Sequence, residues 1–90
     1  MAEGSRRVSL ALTPTELQVL DMLVDGKRND EIAKELYVSV RTVQSHIVHL
    51  SAKRGHRNRT EAAVYRVREV IGQRLRERGI ADDVIKEALR

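Results

Sequence analysis

The chain has 90 residues, no cysteine and a net charge of +4, from 17 Lys or Arg against 13 Asp or Glu. This length gives one domain with a modest core, so we expect no enzyme-sized cleft, and the lack of cysteine excludes disulfides and thiolate metal sites. No apolar run approaches the about 20 residues of a membrane span, and residues 1–10 lack the long apolar stretch typical of a secretory signal, so we expect a cytoplasmic protein without membrane contact.

An all-α fold is expected, because only 2% of the residues are aromatic and helix-forming residues dominate the composition. Residues 1–9 are polar and aperiodic, which predicts a flexible tail or linker. The stretch Thr13-Pro14-Thr15-Glu16 has the form of a capping box with proline at the first helical position. It predicts a first helix that runs to about Asp25.

Two further helices follow with a tight connection between them. Asn29 is placed to cap the second helix, which is predicted to end near Leu36. After a short connection, Ser39 is placed to cap a third helix that runs to about Arg54. This arrangement is typical of a helix-turn-helix motif.

A longer fourth helix is predicted to open at Thr60 and Glu61, and it carries a broad apolar stripe. Gly79 has the character of a C-cap, and Asp82 is placed to cap a short last helix with its own apolar side. Residues 73–90 are therefore predicted to form a helical extension. Packing on the domain, a dimer contact and disorder all stay open for this extension.

The third helix has two contrasting sides when successive residues are placed about 100° apart. The inward side is apolar, with Val43, Ile47 and Leu50. The outward side carries a long cation, an amide, a hydroxyl and a small apolar group: Arg41, Gln44, Ser45 and Val48. Such a set suits the major groove of DNA, where Arg pairs with guanine, Gln with adenine, and Val contacts the thymine methyl group. An ordinary solvated helix face is the alternative, but such faces usually mix Glu and Lys.

Positive charge is concentrated around this helix. Residues 27–59 contain eight Lys or Arg and three acids, a net charge of +5, which is typical of a surface that meets a polyanion. Charge alone fits a solubilising face equally well. Ser39 and Thr42, however, lie beside the free N–H groups at the start of the helix, where a phosphate is favoured.

With these motifs in place, residues 12–64 resemble the LuxR-type (GerE/NarL/FixJ-like) helix-turn-helix domain. The shared marks are Leu12-Thr13, Glu16, Val19-Leu20, Gly26, Asn29, Glu31-Ile32-Ala33, Leu36, Ser39, Thr42-Val43, His46, Lys53, Asn58-Arg59 and Glu61-Ala62. Each mark is weak alone, and the set is specific because its order and spacing match. The resemblance implies a compact four-helix domain, here residues 10–72, whose third helix enters the major groove and whose fourth commonly mediates dimerisation.

The resemblance also implies roles for individual residues. It places base readers at the exposed positions of the third helix, which are Arg41, Gln44, Ser45 and Val48. Positions that contact phosphate or brace the domain fall on Asn29, Ser39, Thr42, His46, Lys53 and Arg59. We predict that Glu16 and Arg59 form a structural pair. Tyr65 and Val70 are candidate dimer contacts, although ordinary packing explains Tyr65 equally well.

Two residues depart from the family pattern. Arg54 and His56 stand where the family usually has apolar residues, and Arg54 falls in the middle of the inward side of the third helix. An unpaired buried charge there would be costly. Either the side chain reaches solvent at the helix end, or the extension covers it and supplies Asp82 and Asp83 as partners.

We therefore expect a sequence-specific transcriptional regulator, or the DNA-binding domain of one, that binds double-stranded DNA as a homodimer. The alternative is a helix-turn-helix module that binds RNA polymerase or another regulator and binds DNA only weakly. No catalytic constellation points to an enzyme, and no cofactor is implied. His46 and His49 have a spacing that metal ligands use, but they lack a cysteine or carboxylate partner, so no metal site is predicted.

Overall fold

The computed structural model describes residues 11–90, and these residues form five α-helices and no strand, which confirms the all-α prediction. The helices are α1 (Pro14–Val24), α2 (Asn29–Leu36), α3 (Val40–Arg54), α4 (Arg59–Glu77) and α5 (Asp82–Ala88). The tail predicted for residues 1–9 lies outside the described residues. No helix within residues 11–90 is long and apolar enough to cross a membrane.

Side chains next to the helix starts explain where α1 and α3 begin. Thr13 Oγ1 accepts a hydrogen bond from the Glu16 N–H at 3.1 Å, and Glu16 Oε1 accepts one from the Thr13 N–H at 2.9 Å. The predicted capping box is therefore confirmed. Ser39 Oγ accepts from the Thr42 N–H at 3.0 Å, which confirms Ser39 as the cap of α3.

Three other predicted helix starts are wrong by one residue. Asn29 is the first residue of α2 and its cap is Arg28, whose backbone is extended. Asn58 caps α4 one residue earlier than expected, because its Oδ1 accepts from the Glu61 N–H at 2.9 Å. Asp82 likewise lies inside the first turn of α5 and not at its cap. A carboxylate in the first turn is stabilised by the helix dipole.

The core lies where α1, α2, α3 and the start of α4 meet. Its largest fully buried side chains are Leu20, Ile32, Leu50, Val19 and Val43. α1 packs against α3 and α4, and α2 packs against α3. Because α3 is held to the domain on its inward side, its other side is left free for a partner.

The C-terminal extension packs against α4 in the structure. Ile85 is the buried residue of α5, and it lies over Gly72, where an added Cβ would be 3.5 Å from Ile85 Cγ2 and 3.6 Å from Leu89 Cδ1. Both distances are ordinary van der Waals contacts, so Gly72 lies against α5 but its missing side chain is not required for the approach of α5 to α4. Packing on its own domain, one of the alternatives left open for the extension, is what the structure shows for α5.

Because Ile85 lies outside the main core cluster, Ile85→Ala is expected to release α5 and leave α1, α2 and α3 folded. Truncation of this side chain removes about 2 kcal/mol of local packing. Hydrogen exchange should show lost amide protection in α5 alone. The control is Val84→Ala, an exposed residue of the same helix, which should leave protection unchanged. Loss of protection in α1 or α3 after Ile85→Ala would contradict the separation of the two units.

Candidate nucleic-acid interface

The free side of α3 carries the four residues predicted to read bases. Arg41, Gln44, Ser45 and Val48 are all exposed, whereas Val43 and Leu50 are fully buried on the opposite side. Within residues 11–90, the three polar side chains of this set form no hydrogen bond or ion pair with another side chain. The structure therefore brings the four residues together on one surface, which we call the α3 outer face.

Two hydroxyl groups lie at the N-terminus of α3. Ser39 is exposed and Thr42 is half-buried, and their Oγ and Oγ1 atoms are 3.0 Å apart. The first N–H groups of a helix have no intrahelical acceptor, and the helix dipole makes this end attractive to anions. The two predicted phosphate contacts are thus next to each other and next to the α3 outer face.

Lys53 and Glu16 connect the end of α3 to the start of α1. Lys53 Nζ donates to Glu16 Oε1 at 2.7 Å and to the Ala11 carbonyl at 3.4 Å. Glu16 is only 5% exposed, and the Lys53 side chain is 21% exposed. The hydrogen bond from Lys53, helped by the one from the Thr13 N–H, lowers the pKa of the Glu16 carboxyl. Glu16 is therefore held as a buried carboxylate.

Arg59 has a different partner from the one predicted. Its Nη1 donates to Asn29 Oδ1 at 2.6 Å and its Nη2 donates to the Lys27 carbonyl at 3.2 Å. The predicted Glu16–Arg59 pair is therefore wrong: Arg59 ties the start of α4 to the start of α2, while Glu16 is bound to Lys53. Asn29, Lys53 and Arg59 are all half-buried and all bonded within the domain.

Arg54 reaches the surface at the end of α3, although its position falls on the inward side. The residue is exposed, and its Nη1 donates to Glu69 Oε2 on α4 at 3.2 Å. The acid expected from the extension has another neighbour, because Asp82 lies 3.7 Å from Arg76 Nη1. Partnership of Arg54 with Asp82 or Asp83 is therefore wrong, and Arg54 carries no penalty for burial without a partner.

His56 and Tyr65 form a stacked pair between the α3–α4 loop and α4. Their ring centroids are 4.9 Å apart, and the Arg68 guanidinium lies 5.3 Å from the centre of the Tyr65 ring. His46, by contrast, is half-buried on the side of α3. Within the part of the chain that the structure describes, no group of three His, Asp or Glu side chains is placed to hold a metal ion.

The two predicted dimer contacts lie on different sides of α4. Tyr65 faces the loop after α3 and the extension. Val70 instead lines a shallow groove between α1 and α4, together with Val24, Val67 and Ile71. The structure therefore separates Tyr65 from Val70, and it groups Val70 with apolar residues that the sequence analysis did not single out. The helical spacing of the apolar residues on α4 can be read from the sequence. Which of them stay exposed depends on how α1 packs against α4, and the sequence does not give that packing.

Comparison with known proteins gives a family match. The model of a family described as bacterial regulatory proteins, luxR family, matches residues 10–66. Transcriptional regulatory protein LiaR of Bacillus subtilis is 42% identical over 55 residues, which cover 61% of this chain and 26% of LiaR. Transcriptional regulatory protein LnrK of the same organism is 44% identical over 59 residues, or 66% of this chain and 27% of LnrK.

A further relative is a putative HTH-type transcriptional regulator, Rv0890c, of Mycobacterium tuberculosis. It is 47% identical over 51 residues, which cover 57% of this chain and 6% of that protein. The chain thus spans about a quarter of the length of LiaR and LnrK, and far less of Rv0890c. No solved structure matches the chain.

Proposed function

The chain belongs to the luxR family of bacterial regulatory proteins, which are DNA-binding transcription regulators, and on that premise we propose that it reads a specific double-stranded sequence through α3. The N-terminal half of α3 enters the major groove, and two copies of the chain bind two half-sites. The observation that carries the proposal is the α3 outer face, whose polar side chains have no partners within residues 11–90 although each can pair with a base edge.

The chemistry of the α3 outer face supports direct base reading. Arg41 presents a guanidinium that can pair with guanine at two atoms, and the Gln44 amide can pair with adenine in the same way. Ser45 can donate or accept, and Val48 offers an apolar contact for a thymine methyl group. No acidic residue occurs between Arg41 and Arg59, so no carboxylate on this helix repels the phosphates.

Phosphate contacts are assigned to side chains at the N-terminus and on the flank of α3. Ser39 and Thr42 lie at the N-terminus of α3, where phosphate binding fixes the register of the helix on the duplex, and His46 lies on the flank of the helix. Asn29 and Lys53 were predicted to contact phosphate as well. Their hydrogen bonds to Arg59 and Glu16 favour a bracing role, in which Asn29 holds α2 to α4 and Lys53 holds α3 to α1.

The apolar groove between α1 and α4 is the proposed dimer surface. Its apolar lining is Val24, Val67, Val70 and Ile71, three of which are exposed, and the charged residues Asp21, Asp25 and Arg66 line it as well. A two-fold axis through this groove would bury the same residues on both copies and would set the spacing of the half-sites. Tyr65 lies beside the extension and is not part of this surface.

Gln44→Ala tests the base-reading assignment. Selection of bound sites from a random duplex pool should show that the variant loses its preference at one position in each half-site, by about tenfold, because one bidentate pair to a base is removed. Gln73→Ala is the matched control, since Gln73 is an exposed glutamine on α4. Equal losses on selected and random duplexes would show that Gln44 does not read a base.

Salt dependence separates this proposal from the protein-interaction alternative. A chain that contacts phosphates releases counterions, so its affinity for random duplexes should fall steeply between two salt concentrations. A module that recognises RNA polymerase or another regulator would show little salt-dependent binding to DNA.

A further inference from the structure

Tyr37 stands out in the turn of the helix-turn-helix, between α2 and α3. Its φ of 57° and ψ of 43° are left-handed, and it is the one non-glycine residue with a positive φ within residues 11–90. A side chain disfavours this conformation, for which glycine is the usual solution at a helix C-terminus. The chain uses that solution after α1, α3 and α4, where Gly26, Gly55 and Gly79 have φ between 71° and 86°.

The strain at Tyr37 is not offset by packing. The residue is 95% exposed, and within residues 11–90 its side chain forms no hydrogen bond, ring stacking or cation–π contact. The backbone alone closes the turn, since the Tyr37 N–H donates to the Lys34 carbonyl and the Val38 N–H donates to the Ala33 carbonyl at 3.0 Å. A glycine would adopt this conformation with less strain, and the exposed Tyr37 side chain adds no packing that stabilises the domain.

The position of Tyr37 relates it to the DNA rather than to the core. It precedes the α3 cap, Ser39, by two residues, which span at most about 7 Å of chain. When the start of α3 enters the major groove, the residues just before it lie at the rim of the groove, where the sugar-phosphate backbone runs. A tyrosine can donate its hydroxyl to a phosphate oxygen and pack its ring against the sugar.

We propose that Tyr37 contacts the DNA backbone. The strained turn lowers the stability of the domain and places the Tyr37 ring at the rim of the major groove. The inference rests on the proposed function and extends it by one residue that neither motif nor periodicity indicates. Contacts to phosphate and sugar carry no base information, so Tyr37 strengthens binding to every sequence and fixes how deeply α3 enters.

Two variants of the full chain test this inference. Tyr37→Gly should raise the thermal midpoint by about 4 °C, because the strain is relieved, and yet weaken binding to selected and random duplexes alike by about tenfold. Tyr37→Phe keeps the strain and the ring and loses the hydroxyl, so it should weaken binding by a smaller factor at an unchanged midpoint. Tyr65→Phe, at the other tyrosine of the chain, is the control and should change neither quantity.

The outcomes are distinguishable from failure of the proposed function. Unchanged affinity in both Tyr37 variants, while Gln44→Ala still alters base preference, overturns the inference alone. A lower midpoint together with weaker binding for Tyr37→Gly also overturns it, because general loss of structure then accounts for the effect. If the unaltered chain prefers no sequence and binds random DNA without salt dependence, the proposed function and this inference both fail.

Discussion

Glu16→Ala is expected to lower the free energy of unfolding by about 3 kcal/mol, a large part of the stability of a domain of this size. The substitution removes the carboxylate that caps the Thr13 N–H and accepts from Lys53 Nζ at 2.7 Å. It leaves the Lys53 ammonium, which is mostly buried, without its anionic partner. Urea unfolding followed by circular dichroism measures the change.

A second glutamate of the chain provides the matched control. Glu31 occupies the same position at the start of α2, where its Oε1 accepts from the Arg28 N–H at 2.8 Å, but it is exposed and has no lysine partner. Glu31→Ala should therefore cause less than a third of the loss caused by Glu16→Ala. Equal losses for the two variants would show that Glu16 acts only as a helix cap.

Glu16→Ala is also expected to change how stability depends on pH, and the sign of that change can be stated. The pKa of Glu16 is lowered in the folded protein, first by the hydrogen bond from Lys53, so the ionised carboxylate stabilises the fold. This contribution is fully present above the ordinary pKa of 4.5 and is lost as the pH falls from there through the lowered folded value. Glu61 and Glu69 also have lowered pKa values, so acid destabilises the unaltered chain and Glu16→Ala alike. The loss of stability below pH 4.5 should be smaller in Glu16→Ala than in the unaltered chain.

Features that depend on near neighbours in the chain could be predicted from the sequence. The capping box at Thr13 and the cap at Ser39 involve residues three positions apart, and the α3 outer face follows from helical periodicity within one helix. The exposure of Arg41 and Gln44 was found as predicted. Their contact with bases remains a proposal, because exposure does not identify a partner.

Features that depend on distant pairing could not be predicted. Glu16 and Lys53 are 37 residues apart, and Arg59 and Asn29 are 30 apart. Periodicity assigns a residue to a face, but it gives no distance between two helices, and the chain has 17 cations for its 13 acids. The predicted Glu16–Arg59 ion pair was therefore one of many pairings that the helical periodicity allows. Packing also decided that Arg54 meets Glu69 and not the acids of the extension.

The strained turn illustrates a different limit of sequence reasoning. A left-handed residue is predicted where glycine or asparagine stands after a helix, and Tyr37 has neither signature. There the backbone hydrogen bonds from the Tyr37 and Val38 N–H groups close the turn, and the conformation connects α2 to α3 without a signal in the residue type. Local preference and global fold disagree at this position, which is where functional residues are expected.

A charge placed in the apolar groove between α1 and α4 is expected to have a large effect on dimerisation and on DNA affinity. Ile71→Glu is expected to abolish the proposed homodimer, since it places a further negative charge among the apolar residues that the dimer would bury, in a groove that Asp21 and Asp25 already line. Affinity for a duplex with two half-sites should fall by about 100-fold, because linked binding of the second half-site is lost. Binding to a single half-site should be unchanged. Ile71 is 41% exposed in one copy, so the variant is expected to fold.

Sedimentation equilibrium and duplex titration together decide whether this groove joins two copies. The control is Val84→Glu, which introduces the same charge at a valine that is 55% exposed on α5, away from the groove. It should leave the dimer and the two-site affinity intact. If Val84→Glu dissociates the dimer and Ile71→Glu does not, the extension is the contact between copies. If neither variant changes the mass or the two-site affinity, cooperation between half-sites does not come from α4, and the groove has another role.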